Sequence, residues 1–126
     1  MHACALTDLD YRRLSALSLA LRRSGRPERA EFLHRRLREA VVHDVPGTVP
    51  GGAGIGASVS LTDLDDGSVY EYRLVLPKDA DISLGRISVL TPLGSALLGR
   101  GVGESFGYDC PGGTINVRLD RVRHDG

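Results

Sequence analysis

The apolar residues in the first third of the chain recur at helical spacing. Leu14, Leu17 and Leu21 lie three and four residues apart, with Leu9 about a turn earlier. Thr7 precedes them as a candidate N-cap, because its hydroxyl can accept from a free amide of the first turn. The pattern predicts a helix that begins after Thr7 and stops at Ser24-Gly25.

A second helix is predicted to begin at Arg26-Pro27, since proline suits the first helical turn. Its apolar stripe consists of Ala30, Leu33, Leu37 and Val41. Two helices of about 16 residues, joined by a tight turn, form an antiparallel hairpin about 24 Å long. The pattern therefore predicts a short coiled coil that favours a monomer, because its two helices can pair within one chain.

From Ala57 onward the apolar pattern has a period of two, which is typical of strands. Strands are predicted over 58–61 and 69–76, with a hairpin signal at Asp66-Gly67 between them. In the second strand one face carries Tyr70, Tyr72, Leu74 and Leu76, and the other carries Glu71 and Arg73.

The stretch from Ile87 to Gly113 contains four signals in succession. A strand end is followed by Thr91 as an N-cap candidate and by Pro92 at the first helical position. The short helix is predicted to stop at Gly99. An extended segment, 104–110, then leads through Pro111-Gly112-Gly113 into a last strand, 114–123. These elements predict an α+β domain with an antiparallel sheet and one short helix.

Between the two patterns lies a stretch rich in glycine and proline, DVPGTVPGGAGIG. It is not a phosphate-binding loop, because no Gly-Lys-Ser/Thr, preceding strand or following helix accompanies it. We therefore expect a helical hairpin over 1–44, a flexible or semi-flexible linker over 45–56 and a second domain over 57–126.

Composition narrows the range of functions. The formal net charge is zero, so no overall field attracts nucleic acid or an anionic membrane. Aromatic residues make up 5% of the chain, which argues against a platform for base stacking. The two cysteines, Cys4 and Cys110, share no motif, and no apolar run approaches the length of a membrane span. A cytoplasmic protein is the expectation.

Catalytic and metal-binding patterns are not found in the sequence. The four histidines (His2, His34, His43 and His124) are scattered and form no His-x3-His pair. Ser95 is not in a nucleophile elbow, and Cys110 would need a histidine brought close by the fold. We therefore expect no catalytic residue, no metal site and no cofactor, and we expect that the protein is not an enzyme.

The residues ISVLTPLGSALLG, followed by VGESFGYDCPGG, resemble the C-terminal domain of the bacterial Gre transcript-cleavage factors. They resemble still more the Rnk group of short Gre relatives, named for regulation of nucleoside diphosphate kinase. The resemblance covers roughly 59–122 and implies an FKBP-like domain. It also implies docking on the rim of the RNA polymerase secondary channel, on the β′ subunit. By position, the implied polymerase-binding residues are Ser88, Thr91, Pro92 and Leu93.

Gre factors insert a helical hairpin into that channel, and two acidic residues at its tip help to bind the magnesium ion used in RNA cleavage. The tip residues here are Arg22, Arg23, Gly25, Arg26 and Glu28, and they are mainly basic. If Glu28 matches the second Gre acid, the first position falls on Gly25. Glu28 and Glu31 are three residues apart, but they lie past the turn and are explained by the preference of helix N-termini for acids.

The leading hypothesis is a non-catalytic regulator that occupies the secondary channel entrance and competes with Gre factors. It makes no direct sequence-specific contact with nucleic acid. Three alternatives remain open. The first is a cleavage factor that uses Glu28 and Glu31, and the second is an interaction module for another partner, for instance a kinase. The third is a prolyl isomerase, whose cleft would have to be built from Tyr70, Tyr72, Phe106 and Tyr108.

Overall fold

The computed structural model of the chain describes residues 4–43 and 52–124. Three helices and seven strands lie within these ranges. In chain order they are β1 (Cys4–Thr7), α1 (Asp8–Arg23), α2 (Glu31–Arg38), β2 (Ala40–His43), β3 (Ala57–Asp63), β4 (Val69–Val75), β5 (Arg86–Ser88), α3 (Pro92–Leu97), β6 (Ser105–Cys110) and β7 (Gly113–His124). Short 3-10 turns span Pro27–Ala30, Pro77–Asp79 and Ile82–Leu84.

Helix α1 begins and ends as its sequence predicts. Thr7 Oγ1 accepts a hydrogen bond from the Asp10 amide at 3.1 Å, which confirms the predicted N-cap. At the other end Gly25 has a φ of 80°. The Arg26 amide donates to the Leu21 carbonyl at 3.0 Å, which is the long bond of a Schellman motif. The turn at Ser24-Gly25 is therefore fixed by backbone conformation and backbone hydrogen bonding.

The second helical arm is shorter than predicted. Its first turn, Pro27–Ala30, is a 3-10 turn, and α2 ends at Arg38. Val41 does not continue the helical stripe; it lies in β2 and is 47% exposed. Strand β2 pairs in parallel with β1, Cys4 opposite Ala40. This pair corrects the predicted helix end and adds a strand, β1, that the helical pattern did not indicate.

The second half of the described chain forms a five-stranded sheet in the order β5-β4-β3-β7-β6. The predicted strands are all present, and Pro111-Gly112 closes the β6–β7 hairpin, in which Cys110 lies opposite Gly113. One pair corrects the expectation of an antiparallel sheet, because β4 and β5 run parallel. A bulge in β7 opposite Ser60 and Leu61 separates Leu119 from Arg121. The α+β prediction holds for mixed helices and an antiparallel-rich sheet, while the coiled coil and the FKBP-like assignment stay predictions.

Helices and sheet share one hydrophobic core. Leu14 and Leu33 of the helical arms belong to the same buried cluster as Leu61, Leu97 and Leu119. All five side chains are at most 1% exposed. The helical arms therefore pack on the sheet in the described residues, and the predicted division into domains at 44 and 57 stays a prediction.

The junction between the helical arms and the sheet centres on the Leu98 carbonyl, at the C-terminal end of α3. Arg36 donates to this oxygen from Nε at 3.0 Å and from Nη2 at 2.7 Å, and the Cys4 thiol donates at 3.3 Å. The next residue, Gly99, has a φ of 74°, and a Cβ there would overlap the backbone of Cys4 and Ala5. Only glycine allows β1 to approach this closely.

The described part of the predicted linker is packed. Ala53 is fully buried; its amide donates to the Arg100 carbonyl at 2.8 Å, and its carbonyl accepts from the Gly99 amide at 2.7 Å. The Ile55 amide donates to Asp10 Oδ2 at 3.2 Å. Residues 52–56 thus join α1 to the sheet, while the flexible or semi-flexible linker over 45–56 stays a prediction. The predicted linker residues 45–51 lie outside the described residues.

Candidate partner-binding surfaces

The first candidate surface is the turn between β5 and α3, Ser88–Leu93, which we call the docking corner. The Ser88 carbonyl accepts from the Thr91 amide at 3.1 Å and from the Thr91 hydroxyl at 2.8 Å. Ser88 Oγ accepts from the Leu90 amide at 3.0 Å. Thr91 Oγ1 also accepts from the Gly94 amide at 3.0 Å, as the predicted N-cap requires.

This hydrogen bonding leaves the docking corner rigid. A Cβ on Gly94 would overlap the Ser88 carbonyl oxygen, so the turn needs glycine there. Ser95 Oγ donates to the Val89 carbonyl at 2.6 Å. Ser88 is buried, whereas Thr91 is exposed and Pro92 and Leu93 are half-buried. The hydroxyls of Ser88 and Thr91 form hydrogen bonds within the turn. The corner therefore offers a partner mainly apolar contact with Pro92 and Leu93.

A groove of about 240 Å³ runs beside the docking corner, between α2 and the sheet. Pro92 and Ala96 line one side of it, and Phe32 and Arg35 line the other. Arg35 lies over the Phe32 ring at 5.2 Å. Deeper in the groove, burial lowers the pKa of Arg100, and the charge of nearby Arg36 lowers it further. The corner and α2 therefore form one continuous surface.

Arg36 is a structural residue that the sequence patterns did not single out. It is buried, with 6% of its surface exposed, and its Nη1 also pairs with Glu39 at 3.1 Å. The signal that identifies it is positional: Arg36 follows Leu33 by three residues, on the buried side of α2.

The second candidate surface is the tip of the helical arms, 22–28. The structure brings its predicted members together at the turn, and Arg22, Arg23, Gly25, Arg26 and Glu28 are all exposed. A shallow depression of about 270 Å³ lies beside it, lined by Arg22, Pro27, Glu28, Glu31 and His34. Glu28 and Glu31 thus border one depression, Glu28 from the 3-10 turn and Glu31 from α2. Within residues 4–43 and 52–124, no group of three or more His, Cys, Asp and Glu side chains has the arrangement of a metal site.

The four aromatic residues that a prolyl isomerase cleft would require differ in their burial and in their neighbours. Tyr70 and Tyr72 stack with ring centroids 6.1 Å apart. Phe106 is buried, with Arg100 lying 4.7 Å above its ring. Burial raises the pKa values of Tyr72 and Tyr108. Isomerase activity stays an untested alternative.

No described helix is long and apolar enough to cross a membrane. A family model described as "Transcription elongation factor, GreA/GreB, C-term" matches residues 49–123, more than half of the chain. The chain is 36% identical over 119 residues to a protein from Solidesulfovibrio magneticus named transcription elongation factor GreA, covering 93% of this chain and 72% of that protein. It is 34% identical over 96 residues to the GreA of Syntrophobacter fumaroxidans, with coverages of 76% and 62%.

The chain also resembles a solved structure named "Prokaryotic transcription elongation factor GreA/GreB from Nitrosomonas europaea". The two share 31% sequence identity and superpose with a TM-score of 0.74. The likeness covers 98% of this chain and 100% of that one, so it includes the helical arms as well as the sheet. By contrast, the chain spans only about two thirds of the length of the curated relatives it matches.

Proposed function

The chain belongs to the GreA/GreB family of transcription elongation factors, and from this premise we propose that it is an Rnk-like, non-catalytic regulator of bacterial RNA polymerase. The docking corner binds the rim of the secondary channel, on the β′ subunit, and the helical arms enter the channel entrance. Bound there, a monomer in the cytoplasm excludes Gre factors without stimulating RNA cleavage.

The observation that carries this proposal is the short, basic pair of helical arms. Helix α1 has 16 residues and is therefore about 24 Å long, and the returning arm has only the 3-10 turn and the eight residues of α2. At the tip, Arg22, Arg23 and Arg26 occupy the region where cleavage requires carboxylates. Magnesium takes hard oxygen ligands, which guanidinium groups cannot supply.

The docking corner supports the polymerase-binding half of the proposal. Its turn is fixed by internal hydrogen bonds, so Pro92 and Leu93 are presented without a large loss of conformational entropy on binding. The groove beside the corner extends the surface onto α2. A partner that contacts both would hold the arms in a fixed direction relative to the sheet.

The test is RNA cleavage in stalled polymerase complexes, with and without a catalytic Gre factor. We expect no cleavage with this protein alone and a dose-dependent loss of Gre-stimulated cleavage when it is added. The double variant Glu28→Gln, Glu31→Gln should inhibit the Gre factor as well as the unchanged protein does. Cleavage by the protein alone would contradict the proposal.

A second candidate function is RNA cleavage assisted by Glu28 and Glu31. It is favoured by one observation, that both carboxylates border the depression beside the tip. In that case the protein alone would release short 3′ RNA fragments, and the double variant would not. If the protein neither cleaves RNA nor inhibits the Gre factor, the interaction module for another partner becomes the leading function.

A further inference from the structure

The outer face of the sheet carries a feature that the proposed function does not use. At the centre of this face lie Ser58 and Ser60 of β3, whose small side chains leave a trough of about 360 Å³. Arg73 of β4 borders one side, and Arg121 and Arg123 of β7 border the other. We call these five residues the arginine trough.

The strand register places these residues side by side. Ser58 lies opposite Arg73 on one neighbouring strand and opposite Arg123 on the other. Ser60 lies opposite Arg121, one step further along the trough. The alternate residues of β3, Val59 and Leu61, are buried in the core, so the serines point to the outer face.

The bulge in β7 increases the charge on this face. It lets Leu119 and Val122 both pack toward the core although they are three residues apart. The two residues between them, Asp120 and Arg121, are both exposed. A regular strand would turn one of each adjacent pair inward, so the bulge keeps Arg121 outside, in line with Arg123.

The trough is a local positive region in a chain of zero net charge. Glu71, which lies opposite Ser60, borders the trough, and Asp120 lies further along β7, paired with Arg118 at 2.7 Å. Arg86 lies next to Arg73 on β5 and adds a further positive charge at the rim. Guanidinium groups form forked hydrogen bonds with phosphate oxygens, and serine hydroxyls are common phosphate donors as well.

The dimensions of the trough suit a single strand of nucleic acid. Its two walls stand on strands two positions apart, so they are separated by about 10 Å, and arginines two residues apart along β7 are about 7 Å apart. We propose that the arginine trough binds the phosphodiester backbone of single-stranded nucleic acid along β3. This binding is independent of base sequence, because contacts with phosphate oxygens carry no information about the bases.

The test is binding of fluorescein-labelled single-stranded oligouridylate to the full chain, followed by fluorescence anisotropy at several salt concentrations. Contact with three phosphates predicts a slope of about −2 in a plot of log K against log salt concentration. The variant Arg121→Gln, Arg123→Gln should bind several-fold more weakly, with a slope reduced to about −0.7.

The matched control is Arg12→Gln, Arg38→Gln, which removes the same charge from exposed positions on α1 and α2, away from the tip. It should bind the oligonucleotide as the unchanged protein does, and thermal melting should show that both variants fold. An equal loss of binding in the two variants would overturn the proposal, since it would reflect net charge only. Displacement by a polyglutamate peptide at lower charge concentration than unlabelled RNA would assign the trough to an acidic protein and would overturn it too.

Discussion

The Leu98 carbonyl accepts three hydrogen bonds, two of them from the buried guanidinium of Arg36. Carbonyl groups at the end of a helix have no partner within the helix, and a cation there also complements the helix dipole. Arg36 therefore connects α2 to α3 through one forked contact. A lysine cannot reproduce that fork, because its ammonium is a single point of donation.

We expect Arg36→Lys to lower the free energy of unfolding by about 1.5–3 kcal/mol, the range for hydrogen bonds to charged groups. The matched control is Arg38→Lys, two residues on and exposed, which should change it by less than about 0.5 kcal/mol. Urea unfolding followed by circular dichroism measures both values. Equal effects would show that the Leu98 contact does not stabilise the junction.

Asp10 gives the junction a dependence on pH. Burial raises the pKa of this carboxyl above 3.8, although the Ile55 amide and the charge of Arg13 oppose the shift. The folded state therefore binds the proton more tightly than the unfolded state does. Between 3.8 and the raised pKa the free energy of unfolding must fall as pH rises, because the charged form is the less stable one when buried.

The measurement is the difference in unfolding free energy between the unchanged protein and Asp10→Asn across mildly acidic pH. We expect this difference to move in favour of the unchanged protein as pH is lowered toward 3.8. The asparagine keeps an oxygen that can accept from the Ile55 amide but does not titrate. A difference that is constant with pH would contradict the assigned role of Asp10.

At the scale of elements, the sequence predicts what depends on local chemistry. Thr7 and Thr91 cap their helices as expected, and Gly25 and Gly67 take the positive φ angles that their turns require. The pairing of β1 with β2 was not predictable in this way, because it joins residues 36 positions apart, as Cys4 and Ala40 do. Val41 also fits the helical spacing that precedes it, so periodicity alone extends the helix too far.

The docking corner and the arginine trough differ in the same way in how far the sequence predicts them. The docking corner is encoded within six consecutive residues, and its cap and turn could be predicted from Thr91-Pro92. The arginine trough depends on strand register, which brings Arg73 and Arg123 to either side of Ser58. Sequence alone placed Arg73 on the polar face of its strand but could not indicate its neighbours.

Substitutions at two glycines can separate the cost of backbone strain from the cost of close packing where β1 meets α3. Gly99 and Gly103 both have positive φ angles, 74° and 93°, but only Gly99 has backbone atoms where a Cβ would lie. Gly103→Ala should lower the free energy of unfolding by about 1–2 kcal/mol, because alanine is strained in the left-handed conformation. Gly99→Ala should cost about 1–3 kcal/mol more, because Cys4 and Ala5 must move as well. Thermal or urea unfolding compares them, and equal costs would mean that β1 yields without strain.

For the whole molecule, the proposed function requires the corner and the arms to act as one body. The shared core and the contacts of Arg36 and Asp10 fix the arms on the sheet, so a partner bound at the docking corner also sets where the tip lies. Under the proposed function, the corner provides the affinity for polymerase and the arms exclude the Gre factor. Substitutions at the two places should therefore fail in different ways.

The corner variant Pro92→Arg tests this division. Pro92 occupies the first turn of α3 and is half-buried, so an arginine there keeps the helix but places a long charged side chain on the contact surface. We expect at least about a tenfold loss of affinity for RNA polymerase, which corresponds to about 1.4 kcal/mol. Inhibition of a Gre factor should weaken by the same factor.

The matched control is Pro77→Arg. Pro77 is also half-buried and also begins a helical turn, Pro77–Asp79, but it lies outside the docking corner. The Pro77→Arg variant should bind polymerase and inhibit the Gre factor as the unchanged protein does. If Pro92→Arg and Pro77→Arg both retain full inhibition, the corner does not dock on polymerase, and contact must come from α2 or the tip instead. Comparing binding with inhibition then shows whether the arms alone can exclude a Gre factor.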